Sequence, residues 1–138
     1  MIDPENPVVA LCAEGMAMEG TPEEAKRLFE QAWAARADDY DAAIAAHFLA
    51  RHQDTAEETR RWNAIAVRHA EAVTDGRATE LLASLYLNLA DSHLVAGDAA
   101  AAQDAARLAA SHLDALPPGG YRDFVSRGIQ GLGERLQE

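Results

Sequence analysis

Histidine is the residue type in this sequence with the widest chemical range, because imidazole serves both as a metal ligand and as an acid–base group near neutral pH. The chain has five histidines: His47, His52, His69, His93 and His112. His47 and His52 stand five positions apart, which places them on different sides of a helix, whereas a spacing of four would align them. We therefore predict no metal site. We expect His47 to fill space in the core against Trp62, with a hydrogen-bond partner if it is buried.

Cys12 and the paired carboxylates are the other groups that could take part in catalysis. Cys12 is the only cysteine, and it falls on an apolar helix face with Val8 and Met16, as expected of a small buried side chain. The pairs Asp38-Asp39 and Glu57-Glu58 stand at predicted helix starts, where capping and the helix dipole explain them. The sequence has no Gly-x-Ser-x-Gly motif and no glycine-rich loop after a strand. We predict that the chain is not an enzyme and needs no cofactor.

Composition narrows the classes of partner and the location. The length of 138 residues suits one domain, and a net charge of −11, from 23 acidic and 12 basic residues, disfavours nucleic acid as a partner. No run approaches the ~20 apolar residues of a membrane span, and the opening MIDPENPVV lacks the basic and apolar parts of a signal peptide. We expect a cytoplasmic protein without a membrane partner. The abundance of alanine and arginine favours a bacterial source with GC-rich coding.

Two capping boxes give the clearest indication of helix starts. Thr21-Pro22-Glu23-Glu24 combines an N-cap threonine, a proline at the first helical position and a glutamate at the third. Thr55-Ala56-Glu57-Glu58 repeats this pattern, without the proline, 34 positions later. Apolar residues at helical spacing follow both boxes, and no segment shows the alternation of a strand.

Similar periodicity along the rest of the chain predicts about seven helices joined by short loops. They form three antiparallel pairs at about 5–37, 38–74 and 78–116, followed by a capping helix at 121–137. Pro117-Pro118-Gly119-Gly120 separates the capping helix from the pairs, and Gly97 is expected to end a helix that runs from about Ala78 to Ala96. The predicted fold class is all-α, in a single domain over residues 1–138.

The pattern of small and large residues resembles the tetratricopeptide repeat family, whose helix pairs recur every 34 residues. The third pair carries the resemblance most fully, at Tyr86, Leu89, Ala90, His93, Gly97, Ala102 and Ala109. The first pair matches at Ala13, Gly20, Ala25, Phe29 and Ala32. The second pair departs from the pattern at His47, Asp54 and Thr59, and about nine residues are inserted before the third pair. The resemblance implies an α-α superhelix closed by a capping helix, with His93 in place of a core aromatic.

The resemblance also implies which residues face a ligand, because the first helix of each pair lines a groove in this family. Carried over to this chain, the groove residues are Ile44, Phe48, Arg51, His52, Leu87, Asn88, Asp91 and Leu94. The apolar members would supply affinity, while Arg51 and His52 would orient the ligand. Arg51 and Asp91 could also pair with each other across the groove. The implied function is non-enzymatic binding of a peptide or helix of a partner protein.

The sequence leaves three alternatives open. The capping helix could fold into the groove and bury its apolar residues. The chain could be a homodimer, whose subunits cover each other's groove or alanine-rich face. It could also be a small-molecule sensor with an apolar pocket near Trp33 or Trp62.

Overall fold

The computed structural model describes residue 3 and residues 5–137, and within them the chain is helical. Seven α-helices follow one another: α1 (Pro7–Ala17), α2 (Pro22–Ala34), α3 (Asp39–Ala50), α4 (Ala56–Ala72), α5 (Leu82–Val95), α6 (Ala99–Ser111) and α7 (Gly120–Leu136). A short 3-10 helix, Leu113–Ala115, lies between α6 and α7. The described residues contain no strand, so the all-α prediction with seven helices is confirmed. Among these residues, no helix combines the length and the apolar character needed to cross a bilayer.

Side-chain caps fix most of the helix starts. Asn6, Asp38, Thr55 and Asp98 each accept a hydrogen bond, at 2.8–3.1 Å, from a backbone N–H in the first turn of the following helix. Thr21 makes no such bond, although α2 does begin directly after it. Both capping boxes therefore predict the position of a helix start correctly, but only the second forms the expected N-cap bond.

The predicted start of α5 is wrong, while its predicted end is close. The helix begins at Leu82 and not near Ala78, because residues 75–81 form the bends and turns that connect α4 to α5. Gly97 follows the end of α5 with a φ of +90°, the left-handed conformation that favours glycine. Its N–H donates to the carbonyl of Leu94 and so satisfies one of the last carbonyls of the helix.

Each helix packs against the next one in the chain, and two further contacts join helices that are not consecutive. These contacts are between α1 and α3 and between α5 and α7. Three meeting points result. We call the contact among α1, α2 and α3 the first junction and the contact among α3, α4 and α5 the second junction. α7 packs against both α5 and α6 at the end of the array.

The first junction is a sealed apolar core. The ring of Phe29 is fully buried in it, and it lies so close to Gly15 that a Cβ at this position would collide with the ring. Cys12 is buried beside them, as predicted, and burial raises its pKa to about 12, so the thiol stays protonated and unreactive. The one buried carboxylate, Asp41, accepts a hydrogen bond from Nδ2 of Asn6 at 2.8 Å. Polar groups are therefore few in this junction.

α7 approaches α5 closely because a glycine stands at their contact. A Cβ at Gly128 would come within 2.7 Å of Cδ2 of Leu87, so a larger residue would push the helices apart. Val125 and Leu132 are buried on the same side of α7. α7 thus covers part of α5, including Leu87, and leaves the rest of that helix surface open.

Candidate functional site

Helices α3, α5 and α7 line a surface that contains three cavities. The junction cavity, of about 370 Å³, lies at the second junction. The α5–α7 cavity, of about 450 Å³, lies between those two helices, and a third cavity of about 170 Å³ lies between α3, the start of α5 and Tyr121. Asn88 and Asp91 line both of the first two cavities, and His47 lines both the first and the third. We call this shared surface the groove.

Half of the ten residues that line the junction cavity have uncharged polar side chains. Its polar lining consists of His47, Thr59, Asn63, Asn88 and Ser92, with Arg51 and Asp91 also on its wall. Asn63 and Ser92 are only 6% and 4% exposed. Asn63 follows Trp62 on α4, and the Trp62 ring packs edge-to-face on Trp33, with 5.0 Å between the centroids.

The polar groups of the cavity are held to one another by long hydrogen bonds. Nδ2 of Asn63 donates to the backbone carbonyl of Asn88, and Nδ2 of Asn88 faces Nδ1 of His47, both at 3.4 Å. These distances exceed the usual value of about 2.9–3.0 Å. The Ser92 hydroxyl donates to the carbonyl of Leu89 at 2.8 Å and keeps its lone pairs free to accept. The cavity therefore presents donors and acceptors that the described residues satisfy only in part.

His47 stays uncharged at neutral pH. Burial lowers its pKa to about 4, and the positive charge of Arg51 acts in the same direction, while Glu19 opposes the shift. The imidazole has a polar neighbour in Asn88, as the sequence predicts for a buried histidine. Its ring packs on Phe48, with 4.9 Å between the centroids, and not on its expected neighbour Trp62.

The charged residues of the groove pair differently from the prediction. Arg51 donates to Glu19 at 3.0 Å, and Asp91 accepts from Arg135 of α7 at 2.7 Å. The predicted Arg51–Asp91 pair is therefore wrong, because each residue has another partner closer at hand. His52 also contacts Glu19, at 2.8 Å, and its ring lies against Phe29. The Asp91–Arg135 pair is about half exposed and contributes little to stability, whereas His52 and Glu19 are mostly covered.

Six of the eight predicted groove residues line one of the cavities. They are Ile44, Phe48, Arg51, Leu87, Asn88 and Asp91, whereas His52 and Leu94 line none. The apolar members of the predicted set are partly or fully buried. Ile44 is buried, Phe48 stacks on Phe29 at 5.1 Å, and Leu94 packs against the core. These side chains stabilise the helix array more than they offer contact area to a ligand.

The exposed apolar side chains of the groove are ones that the prediction did not select. Val95, Tyr121 and Phe124 line the three cavities and are 62%, 53% and 66% exposed. The periodicity of α7 assigns Tyr121 and Phe124 to its buried stripe, together with Val125. In the structure both rings remain uncovered.

A positive charge accompanies these rings in the α5–α7 cavity. Arg127 and Arg135 line its wall opposite Asp91. Arg135 pairs with Asp91, but Arg127 forms no ion pair with any residue that the structure describes. In a chain with a net charge of −11, an unpaired arginine beside an exposed phenylalanine distinguishes this wall from the acidic surface elsewhere.

Among the described residues, no three histidine, cysteine, aspartate or glutamate side chains lie together in an arrangement that could hold a metal ion. Nδ1 of His93 is the one buried side-chain nitrogen without a partner in this part of the chain, and it lies outside all three cavities. The groove offers a ligand exposed rings, partly satisfied polar groups and one guanidinium that forms no ion pair with the described residues.

Comparisons of the chain with protein-family models, with curated proteins and with solved structures found no significant match.

Proposed function

We propose that this chain is a non-enzymatic binding module that holds a peptide or helix of a partner protein along the groove. The observation that carries the proposal is the position of the exposed apolar side chains. Six large apolar side chains are exposed in the described part of the chain, and three of them, Val95, Tyr121 and Phe124, line the groove. Large apolar groups grouped on one surface are characteristic of interaction sites.

The mode of binding follows from the groups that surround these side chains. Tyr121 and Phe124 would supply apolar anchors, since aromatic residues contribute most of the affinity at many interfaces. Asn88 and Asp91 stand between two cavities and would fix the direction of the bound segment. Arg127 would favour a segment with an acidic residue next to its apolar anchor.

We further propose that the helices form a superhelix of the tetratricopeptide type. The contacts of α1 with α3 and of α5 with α7 support it, because the first helices of successive pairs are neighbours in such a stack, while α3 and α5 meet through side chains such as His47 and Asn88. The placement of Ile44, Phe48, Leu87 and Asn88 along the groove also supports it. On this view α7 acts as a further first helix, which extends the groove and does not fill it.

A photo-crosslinking experiment tests the proposal. The photoreactive residue benzoylphenylalanine replaces Phe124 in the full chain, which is then illuminated in the cells that produce it. Leu108 on α6 is the matched control, because it is also apolar and exposed but lies outside the groove. We expect a crosslinked partner from position 124 and none from position 108, and mass spectrometry of the adduct then identifies the bound segment.

Substitutions measure what the anchors contribute. The variant Tyr121→Ser/Phe124→Ser should reduce the affinity for the identified segment at least tenfold and leave the circular dichroism spectrum unchanged, because both rings are exposed. Leu108→Ser should change neither. Crosslinks from position 108 but not from position 124 would overturn the proposal. An adduct of twice the mass of the chain would show that the bound partner is a second copy of this chain and not a different protein.

A further inference from the structure

The junction cavity has a lining that helix packing does not require. Elsewhere α3 packs through alanines such as Ala43 and Ala46, which are fully buried and bring helices close together. At the cavity, Asn63 and Ser92 are nearly as inaccessible but polar. The Ser92 hydroxyl has its partner in the carbonyl of Leu89, whereas the contacts of Asn63 and Asn88 are long, at 3.4 Å. A group bound in the cavity can therefore offer these two amides better hydrogen bonds than they have in the helix array.

The lining indicates the chemistry of that group. The side-chain amides of Asn63 and Asn88 each place a donor and an acceptor side by side in one plane. His47, with its neutral ring, adds one donor and one acceptor. A charged group would lose its hydration on entering, and the two charged residues of the lining, Arg51 and Asp91, are already engaged in ion pairs. A planar, uncharged group with its own adjacent donor and acceptor is complementary to this lining.

We propose that the junction cavity is a binding site for a primary carboxamide, held between Asn63, Asn88 and His47. This site goes beyond the groove function, because a small molecule can fill the cavity without any partner protein. Its volume of about 370 Å³ lies near the lower end of ligand pockets, about 300–1,000 Å³. Arg51 and Asp91 line the same cavity, and a free amino acid would have to displace their present partners to reach them with its carboxylate and ammonium group.

Titration of the full chain with three amino acids tests this site. L-glutamine carries the carboxamide, L-glutamate has the same shape with a charged carboxylate, and L-methionine has a similar length with an apolar end. We expect L-glutamine to shift the NMR signals of the Asn63 and Asn88 side-chain amides and to bind at least tenfold more tightly than the other two. Equal NMR shifts from all three amino acids would overturn the proposal. So would the absence of any shift with L-glutamine up to its solubility limit, which would mean that the cavity holds only water.

Substitutions in the lining of the junction cavity test whether L-glutamine binds there. Asn63→Asp keeps the side-chain shape but replaces the donor with a charge, so we expect at least tenfold weaker binding of L-glutamine. Thr59→Val, which removes a hydroxyl from the wall without changing its shape, should weaken binding of L-glutamine several-fold. This variant tests the site if Asn63→Asp does not fold. Gln130→Glu makes the matched change on an exposed part of α7 and should leave binding unchanged. Equal binding by wild type and Thr59→Val, together with an unaffected and folded Asn63→Asp, would contradict the assignment.

The carboxamide has two candidate sources, a free small molecule and a glutamine side chain of a docked protein segment. A glutamine derivative without main-chain charges distinguishes them. N-acetyl-glutamine-N-methylamide lacks both main-chain charges and imitates a glutamine within a peptide. Tighter binding of free L-glutamine would identify a small molecule that uses Arg51 and Asp91, whereas equal or tighter binding of the blocked form would identify a side chain of a docked segment. Failure of this site would not affect the crosslink from position 124, because Phe124 lines the α5–α7 cavity and not the junction cavity.

Discussion

The first and second junctions differ in how their helices meet and in what lines them. In the first, α1, α2 and α3 all pack against one another, Phe29 is fully buried, and Gly15 makes room for its ring. In the second, α4 packs against both α3 and α5 through buried alanines and leucines, while Asn63 and Asn88 line a cavity of about 370 Å³. Both junctions therefore contain apolar core, and the second also keeps a polar surface open.

The largest effect that would test this comparison is expected from Phe29. Phe29→Ala removes a fully buried ring from the first junction, so we expect the free energy of unfolding to fall by about 3–5 kcal/mol. Phe124→Ala is the matched control, since the same truncation at an exposed position should change it by less than about 0.5 kcal/mol. Urea unfolding followed by circular dichroism measures both. Similar losses for the two variants would mean that the first junction is not the stabilising core.

The second junction should make stability depend on pH through His47. The folded chain favours the neutral ring, whose pKa is about 4 instead of 6.5, so the unfolded chain binds more protons between these values. The free energy of unfolding therefore falls as the pH is lowered from 6.5 towards 4, by up to about 3 kcal/mol from this ring. Above pH 6.5 this contribution is constant.

The variant His47→Gln isolates that contribution, because glutamine does not titrate. Urea unfolding of wild type and variant at several pH values should give two stability curves that run parallel above pH 6.5 and converge below it. The carboxylates titrate in both proteins and cancel in the difference. Curves that stay parallel down to pH 4 would show that His47 is not held neutral in the second junction.

A smaller effect on stability is expected from His93, which lines none of the three cavities. Nδ1 of His93 is buried and has no hydrogen-bond partner among the described residues. We expect His93→Phe to raise the free energy of unfolding by about 1 kcal/mol, because it removes an unsatisfied buried nitrogen and restores an apolar ring. Thermal melting measures the change. A destabilised variant would indicate that the imidazole makes an interaction that phenylalanine cannot replace.

The helices themselves are largely predictable from sequence, and the reason is local. Capping residues such as Thr55 and Asp98 act on the next turn of the chain, and Gly97 ends α5 through its own backbone conformation. The start of α5 is harder to predict, because Ala78 belongs to an apolar pattern and is buried in the core even though it lies in a turn. A buried residue keeps the periodic pattern whether or not its backbone is helical.

The groove is less predictable, because it depends on how far one helix covers another. The apolar stripe of α7 includes Tyr121 and Phe124 as well as Val125, but only Val125 of these three is buried. The partners of Arg51 and Asp91 likewise come from residues distant in sequence, Glu19 and Arg135. Periodicity tells which residues share a face, and it does not tell how much of that face is covered.

The most direct test of the account is an NMR titration of the labelled chain with the partner segment that crosslinking at position 124 identifies. The account predicts that the signals of α5 and α7 shift, together with the side-chain amides of Asn63 and Asn88, while those of the first junction around Phe29 stay in place. Shifts confined to α1, α2 or the outer face of α6 would contradict it, because they would place the ligand away from the groove.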